Sequence, residues 1–145
     1  MAALILSALI FGCGGETRKE DDQHKRNALI VQFDQSFTMK IGQIAWIESD
    51  DLFIEFIEIT EDSRCPIGVI CAWEGQAIAF LGFYKGENSH AEYSVTSRAG
   101  HPDLATTEFD DYIITLTELL PEKIAGETIE LTEYSIGLNI ANKDQ

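Results

Sequence analysis

The sequence predicts an all-β fold, an antiparallel β-sandwich or barrel-like domain of about seven or eight strands. Three observations carry that expectation. From Ala28 onward the dominant apolar period is two, turn-forming residues interrupt the runs at short intervals, and no apolar period of 3.6 lasts long enough for a standard helix. A period of two sends successive side chains to opposite faces of a strand, so one face is buried and the other is wet.

The elements follow in chain order. Phe37, Met39 and Ile41 alternate with Ser36, Thr38 and Lys40, which predicts a strand with one buried face. The segments 52–59 and 77–84 are apolar on both parities, the pattern of central strands covered on both sides. Within the first, Glu55 and Glu58 fall on opposite faces, which implies a bulge between them. Alternation returns at Ala91, Tyr93 and Val95, at Tyr112, Ile114 and Leu116, and at Tyr134, Ile136, Leu138 and Ile140. Turn signals separate these runs at Ser49-Asp50-Asp51, Lys85-Gly86-Glu87-Asn88, Ala99-Gly100-His101-Pro102 and Ala125-Gly126. The stretches 103–110 and 122–125 are each suited to a single helical turn. No internal repeat is detectable, which argues against propellers and solenoids.

The composition bounds the function. In 145 residues, 45% are hydrophobic, and 25 acids against 10 bases give a net charge of −15. Phosphate backbones need clustered Lys and Arg, so nucleic acid is excluded as a partner, and attraction to an anionic membrane face is equally disfavoured. Eight Phe, four Tyr and two Trp provide for a core. The charge is uneven: residues 1–12 carry none, and in residues 13–27 four acids cancel four bases. The whole excess therefore sits on residues 28–145.

The apolar run from Ala2 to Phe11 is too short for a membrane-spanning helix and fits the apolar region of an export signal. With Ile10-Phe11-Gly12-Cys13 at its end, it resembles a bacterial lipoprotein signal peptide, in which a small residue precedes the cysteine that receives the lipid. The resemblance implies a signal peptide over 1–12, acylation of Cys13 and membrane attachment through that N-terminal lipid. Residues 13–27 then form a flexible, solvated tether, and 28–145 a single β domain. Lys19-Glu20-Asp21-Asp22 loosely resembles the signals that carry some lipoproteins to the outer face of the outer membrane. The expected location is the cell envelope, at the outer membrane or periplasmic face or on the cell surface.

Three cysteines are an odd number for an exported chain, and lipidation of Cys13 leaves Cys65 and Cys71 as a pair. The five residues between them form a loop short enough to close as a disulfide if the chain turns at Pro66 and Gly68. Free thiols, a redox pair and a metal pair are the alternatives. The stretch from Glu61 to Pro66, followed by Cys71-Ala72-Trp73-Glu74-Gly75-Gln76-Ala77, resembles a motif of uncharacterised bacterial lipoproteins and secreted proteins. Tyr112-Ile113-Ile114-Thr115-Leu116 with Pro121 extends the likeness. It implies an extracytoplasmic location and a β-rich domain, and brings no activity.

Read physically, this stretch is a strand end, a pinned loop and a return strand. Asp62 and Arg64 are placed to pair with each other or to bond loop backbone. Trp73 is expected to pack over the disulfide or the sheet edge, and Gly75 to mark a bulge or a close approach of backbone. Two readings stand side by side. In one, these residues form only a rigid corner. In the other, Asp62, Arg64, Pro66, Ile67, Val69, Ile70 and Trp73 make a preorganised binding loop for another protein.

Catalytic signatures are absent: no nucleophile elbow, zinc-protease helix, phosphate loop or EF-hand spacing occurs. His24, His90 and His101 read as exposed loop residues. No cofactor is expected. The acidic groups Asp50-Asp51, Glu108 with Asp110-Asp111, and Glu127, Glu130 and Glu133 read as solvated faces, with calcium as the sharper alternative and Asp110-Asp111 its best candidate. The expected role is that of a noncatalytic binding or structural module holding an envelope protein or other envelope component. An inhibitor-like domain presenting the 65–71 loop, or a carbohydrate-directed hydrolase using two carboxylates, are the alternatives.

Overall fold

A computed structural model describes residues 25–86 and 89–144. The expected signal segment 1–12, Cys13, and residues 14–24 of the expected tether, with Lys19-Glu20-Asp21-Asp22 and His24, lie outside the described residues, as do Glu87 and Asn88. Among the described residues nine strands form two sheets, so the fold is a sandwich rather than a closed barrel. The strands are β1 (Leu29–Ile30), β2 (Phe37–Lys40), β3 (Ile44–Ile47), β4 (Leu52–Asp62), β5 (Ala77–Lys85), β6 (Ser89–Ser97), β7 (Thr106–Phe109), β8 (Tyr112–Leu120) and β9 (Ser135–Asn142). One sheet runs β1-β3-β4-β5-β6 and the other β2-β9-β8-β7.

Alternation sets the inner faces. Leu52, Ile54 and Phe56 of β4 and Ala79, Leu81 and Phe83 of β5 are fully buried. They meet Met39, Tyr112, Ile114, Ile136, Leu138 and Ile140 from the other sheet in one core. Ring stacking of Phe83 on Phe109 (5.4 Å between centroids) joins the two sheets. The segments predicted to be central strands are β4 and β5, each flanked on both sides within its sheet. The bulge expected between Glu55 and Glu58 appears as a register shift between Phe56 and Glu58.

Two local expectations need correction, and a third holds in part. Pairing is not wholly antiparallel: β1 runs parallel to β3, because residues 31–34 leave one sheet edge and cross to the other sheet rather than forming a hairpin. Val31 N–H still donates to the Trp46 carbonyl, whereas Asp34 N–H donates across the sandwich to that of Ile140. The stretch 103–110 does carry a single helical turn, the 3-10 turn Pro102–Ala105, but the turn takes only its first three residues; the β-formers Thr106, Thr107 and Phe109 pair with β8 instead. Residues 122–125 make no helical turn: Ile67 N–H donates to the Lys123 carbonyl and Ile67 lies in a parallel bridge with Ile124, and the chain turns at Ala125-Gly126, where Glu127 N–H donates to the Ile124 carbonyl. The second 3-10 turn is Leu131–Glu133, which Glu130 and Glu133 cap reciprocally.

Candidate functional site

The stretch after β4 is a corner at one end of the sandwich. The β4–β5 ladder continues beyond its strands: Ser63 N–H donates to Gln76 O (2.7 Å) and Cys65 N–H to Glu74 O (3.0 Å). Gly75 lies between these rungs at φ +68°, and a Cβ built there would stand 1.9 Å from the Ser63 carbonyl oxygen. The glycine therefore serves close backbone approach, one of its two expected roles. Beyond the last rung the disulfide Cys65–Cys71 closes the loop, with Cα atoms 6.0 Å apart. Inside it Val69 N–H donates to the Pro66 carbonyl, and Gly68 takes φ +77°. So short a loop limits the chain-entropy gain from the disulfide to about 2 kcal/mol, and its larger effect is to restrict the shape of residues 66–70.

Asp62 and Arg64 do both things the sequence allowed. The guanidinium grips the carboxylate with two bonds, Nε to Oδ1 (2.9 Å) and Nη2 to Oδ2 (2.8 Å). It also donates from Nη1 to Leu119 O (3.0 Å) and from Nη2 to Pro121 O (2.9 Å). Because Leu119 belongs to β8, Arg64 staples one sheet to the other. Tyr134, just before β9, donates its hydroxyl to Asp62 Oδ2 at 2.9 Å, and Lys123 Nζ donates to the Asp62 carbonyl at 2.8 Å. The ion pair is largely out of water, with 8% of the Asp62 side chain and 16% of the Arg64 side chain exposed.

Burial pushes the Asp62 carboxyl up, but hydrogen bonds from Arg64 and Tyr134, with the Arg64 charge, hold it below the ordinary carboxylate range. Burial and the bond to Asp62 push the Tyr134 phenol up to about 12. Their signs set two limbs of a stability profile. Folded Asp62 binds its proton less readily than the unfolded residue does, so its contribution is present above about pH 4 and is lost as pH falls through the lower folded value. Folded Tyr134 holds its proton more tightly, so its contribution is present below about pH 10 and is lost towards about 12. We expect Tyr134→Phe to cost about 1–2 kcal/mol at neutral pH and to make the alkaline limb shallower. Melting temperatures of both proteins across this range check it, and an unchanged alkaline limb would refute the assignment.

The apolar members of the loop point outward. Ile67 is 57% exposed, Val69 45%, Ile70 101% and Trp73 74%, and the adjacent Ile124 is 49% exposed. The expectation that Trp73 packs over the disulfide or sheet edge is therefore corrected. Trp73 falls just past the last rung of the ladder, where no facing strand covers it. Beside the corner lies a cleft of about 440 Å³ bordered by Arg64, Glu74 and Arg98. Its charges are paired, with Arg98 Nε 2.8 Å from a Glu74 carboxylate oxygen and His101 Nε2 3.9 Å away.

The remaining candidates lie elsewhere. His90 stacks on Tyr84. Asp50 accepts from the Tyr112 hydroxyl at 2.8 Å, Asp51 pairs with Lys25, and Glu108 pairs with Lys143. Asp51 and Asp110 occupy turn positions at φ +49° and +48°, conformations that aspartate tolerates better than most residues. Among the described residues no group of three or more His, Cys, Asp or Glu is arranged to hold a metal ion.

Sequence reasoning missed Tyr134, Lys123 and Ile124 as parts of the corner. Tyr134 carries only a core-strand signal, and nothing in the sequence marks Lys123 and Ile124 as neighbours of the disulfide loop. Comparison with protein-family models, curated protein sequences and solved structures finds no match to this chain.

Proposed function

We propose that this protein is a noncatalytic binding module of the bacterial cell envelope, held at the membrane by a lipid on Cys13, that presents its 65–71 loop and Trp73 to a partner protein. The observation that carries the reading is the exposure of Ile67, Val69, Ile70 and Trp73 on a corner fixed by a disulfide, a ladder and the Asp62–Arg64–Tyr134 network. Isoleucine, valine and tryptophan left in water gain about 1.5–3 kcal/mol each when covered. A loop already held in one shape loses little conformational freedom when it binds. The bonding of Asp62 supports a structural role, since both its oxygens accept from Arg64 and one also from Tyr134. A lipid anchor would add effective concentration by confining both partners to one surface.

The test is crosslinking in intact cells of the native host, followed by capture of the full-length lipoprotein. We expect one partner in near-stoichiometric yield, with recovery reduced about 10- to 100-fold in the Ile67→Ser/Val69→Ser variant. Both side chains are exposed, so the melting temperature of the variant should stay within roughly 2 °C of the parent. Capture that is indifferent to this double substitution overturns the reading.

A further inference from the structure

We propose that the corner docks into an apolar cleft of a partner protein whose rim is lined by lysine and arginine. This inference rests on the binding-module reading above and specifies the chemistry of the partner. Residues 61–76 and 118–133, which build the corner and its neighbour segment, contain eight carboxylates, of which Glu74 is paired with Arg98 beside the corner, and only two cations, Arg64 and Lys123. Both cations are turned inward: Arg64 is engaged by Asp62 and the carbonyls of Leu119 and Pro121, and Lys123 by the carbonyl of Asp62. The carboxylates of Glu122 and Glu127, on either side of Ile124, are exposed.

An apolar tip with an acidic border selects among occupants. An anionic bilayer would be repelled by these carboxylates and by the charge of −15 behind them. A second copy of the chain, meeting the first through the same patch in a two-fold contact, would set acid against acid. A protein cleft that is apolar at its floor and basic at its rim covers Ile67, Ile70 and Trp73 while pairing Glu122 and Glu127. Because those rim charges remain near water, they act mainly on the encounter rate and its salt dependence.

The experiment places a photoreactive benzoylphenylalanine at Ile70 in the full-length lipoprotein, in cells of its native host, with and without Glu122→Lys/Glu127→Lys. In parallel, the purified lipid-free protein is floated with phosphatidylcholine vesicles. The expected result is an adduct to one other protein, reduced about tenfold by the charge reversal, and weakened when the envelope fraction is crosslinked at about 300 mM rather than about 50 mM salt. The reversed variant should keep the parent's melting temperature, since both glutamates are exposed. An adduct of undiminished yield in the reversed variant overturns the basic rim while leaving the binding loop standing. An adduct to a second copy of the chain, flotation with the vesicles, or no protein adduct overturns the rim and the protein-partner reading together.

Discussion

Gly75→Ala will lower the unfolding free energy by about 3–4 kcal/mol and the melting temperature by roughly 10–15 °C. The left-handed conformation at φ +68° accounts for about 1–2 kcal/mol of this once a Cβ is present. The rest comes from backbone that must move. The new carbon would stand 1.9 Å from the Ser63 carbonyl oxygen, so the rungs from Ser63 to Gln76 and from Cys65 to Glu74 cannot both survive. Each is worth about 1 kcal/mol. Gly68→Ala provides the control, because Gly68 shares the conformation at φ +77° but has nothing within 4 Å of the point where a Cβ would stand. It should cost only about 1–2 kcal/mol. Urea unfolding of the two variants separates conformation from collision, and equal costs would show that close approach is not what demands glycine at position 75.

This contrast also shows what can be read from the chain. Alternation exposes parity, so the burial of Tyr112, Ile114 and Leu116 and of Ile136, Leu138 and Ile140 follows from spacing alone. The Phe56/Glu58 bulge is legible for the same reason, since a charge on each parity requires a change of face. Partners brought together by the fold are not legible. Tyr134 has the spacing of a core residue and is buried like one, yet its hydroxyl meets a carboxylate 72 positions away. Ile124 looks like the apolar member of a short turn until Ile67 is found beside it. The parallel β1–β3 pair leaves no local trace, because only a crossing between sheets, not a turn signal, sets its direction.

The disulfide loop illustrates both sides. Cys65 and Cys71 are close enough in sequence for pairing to be inferred, and they do pair. What faces solvent depends on where the ladder ends, and the last rung at Cys65–Glu74 leaves Trp73 uncovered. The residues with a strong local signature, the cysteines, Pro66 and Gly75, set the shape of the corner. The residues that give that shape an outward apolar surface are ordinary isoleucine, valine and tryptophan.

The second large effect is expected at Arg64. Arg64→Met keeps an apolar stem but removes both bonds to Asp62 and the two to the carbonyls of Leu119 and Pro121. It leaves a carboxylate whose side chain is only 8% exposed without its counter-charge, at a cost of about 3–5 kcal/mol at neutral pH. The loss should depend on pH with a definite sign. Without the guanidinium, burial, the largest influence on this carboxyl, is opposed only by the bonds from the Tyr134 hydroxyl and the residue-64 N–H, and we expect the Asp62 carboxyl to rise above its unfolded value. The charged form is then the destabilising one, so the penalty shrinks as pH falls towards about 4 and Asp62 takes up a proton. The parent moves the opposite way over the same range, because its carboxylate is held low. Adding Asp62→Asn to Arg64→Met removes the stranded charge and should recover part of the stability at neutral pH, while Asp62→Asn alone destabilises by leaving Arg64 without its carboxylate. Urea unfolding of the four proteins at pH 7 and near pH 4 completes the cycle. A double variant no more stable than Arg64→Met at neutral pH would show that the two carbonyl bonds between the sheets, rather than the ion pair, are what Arg64 supplies.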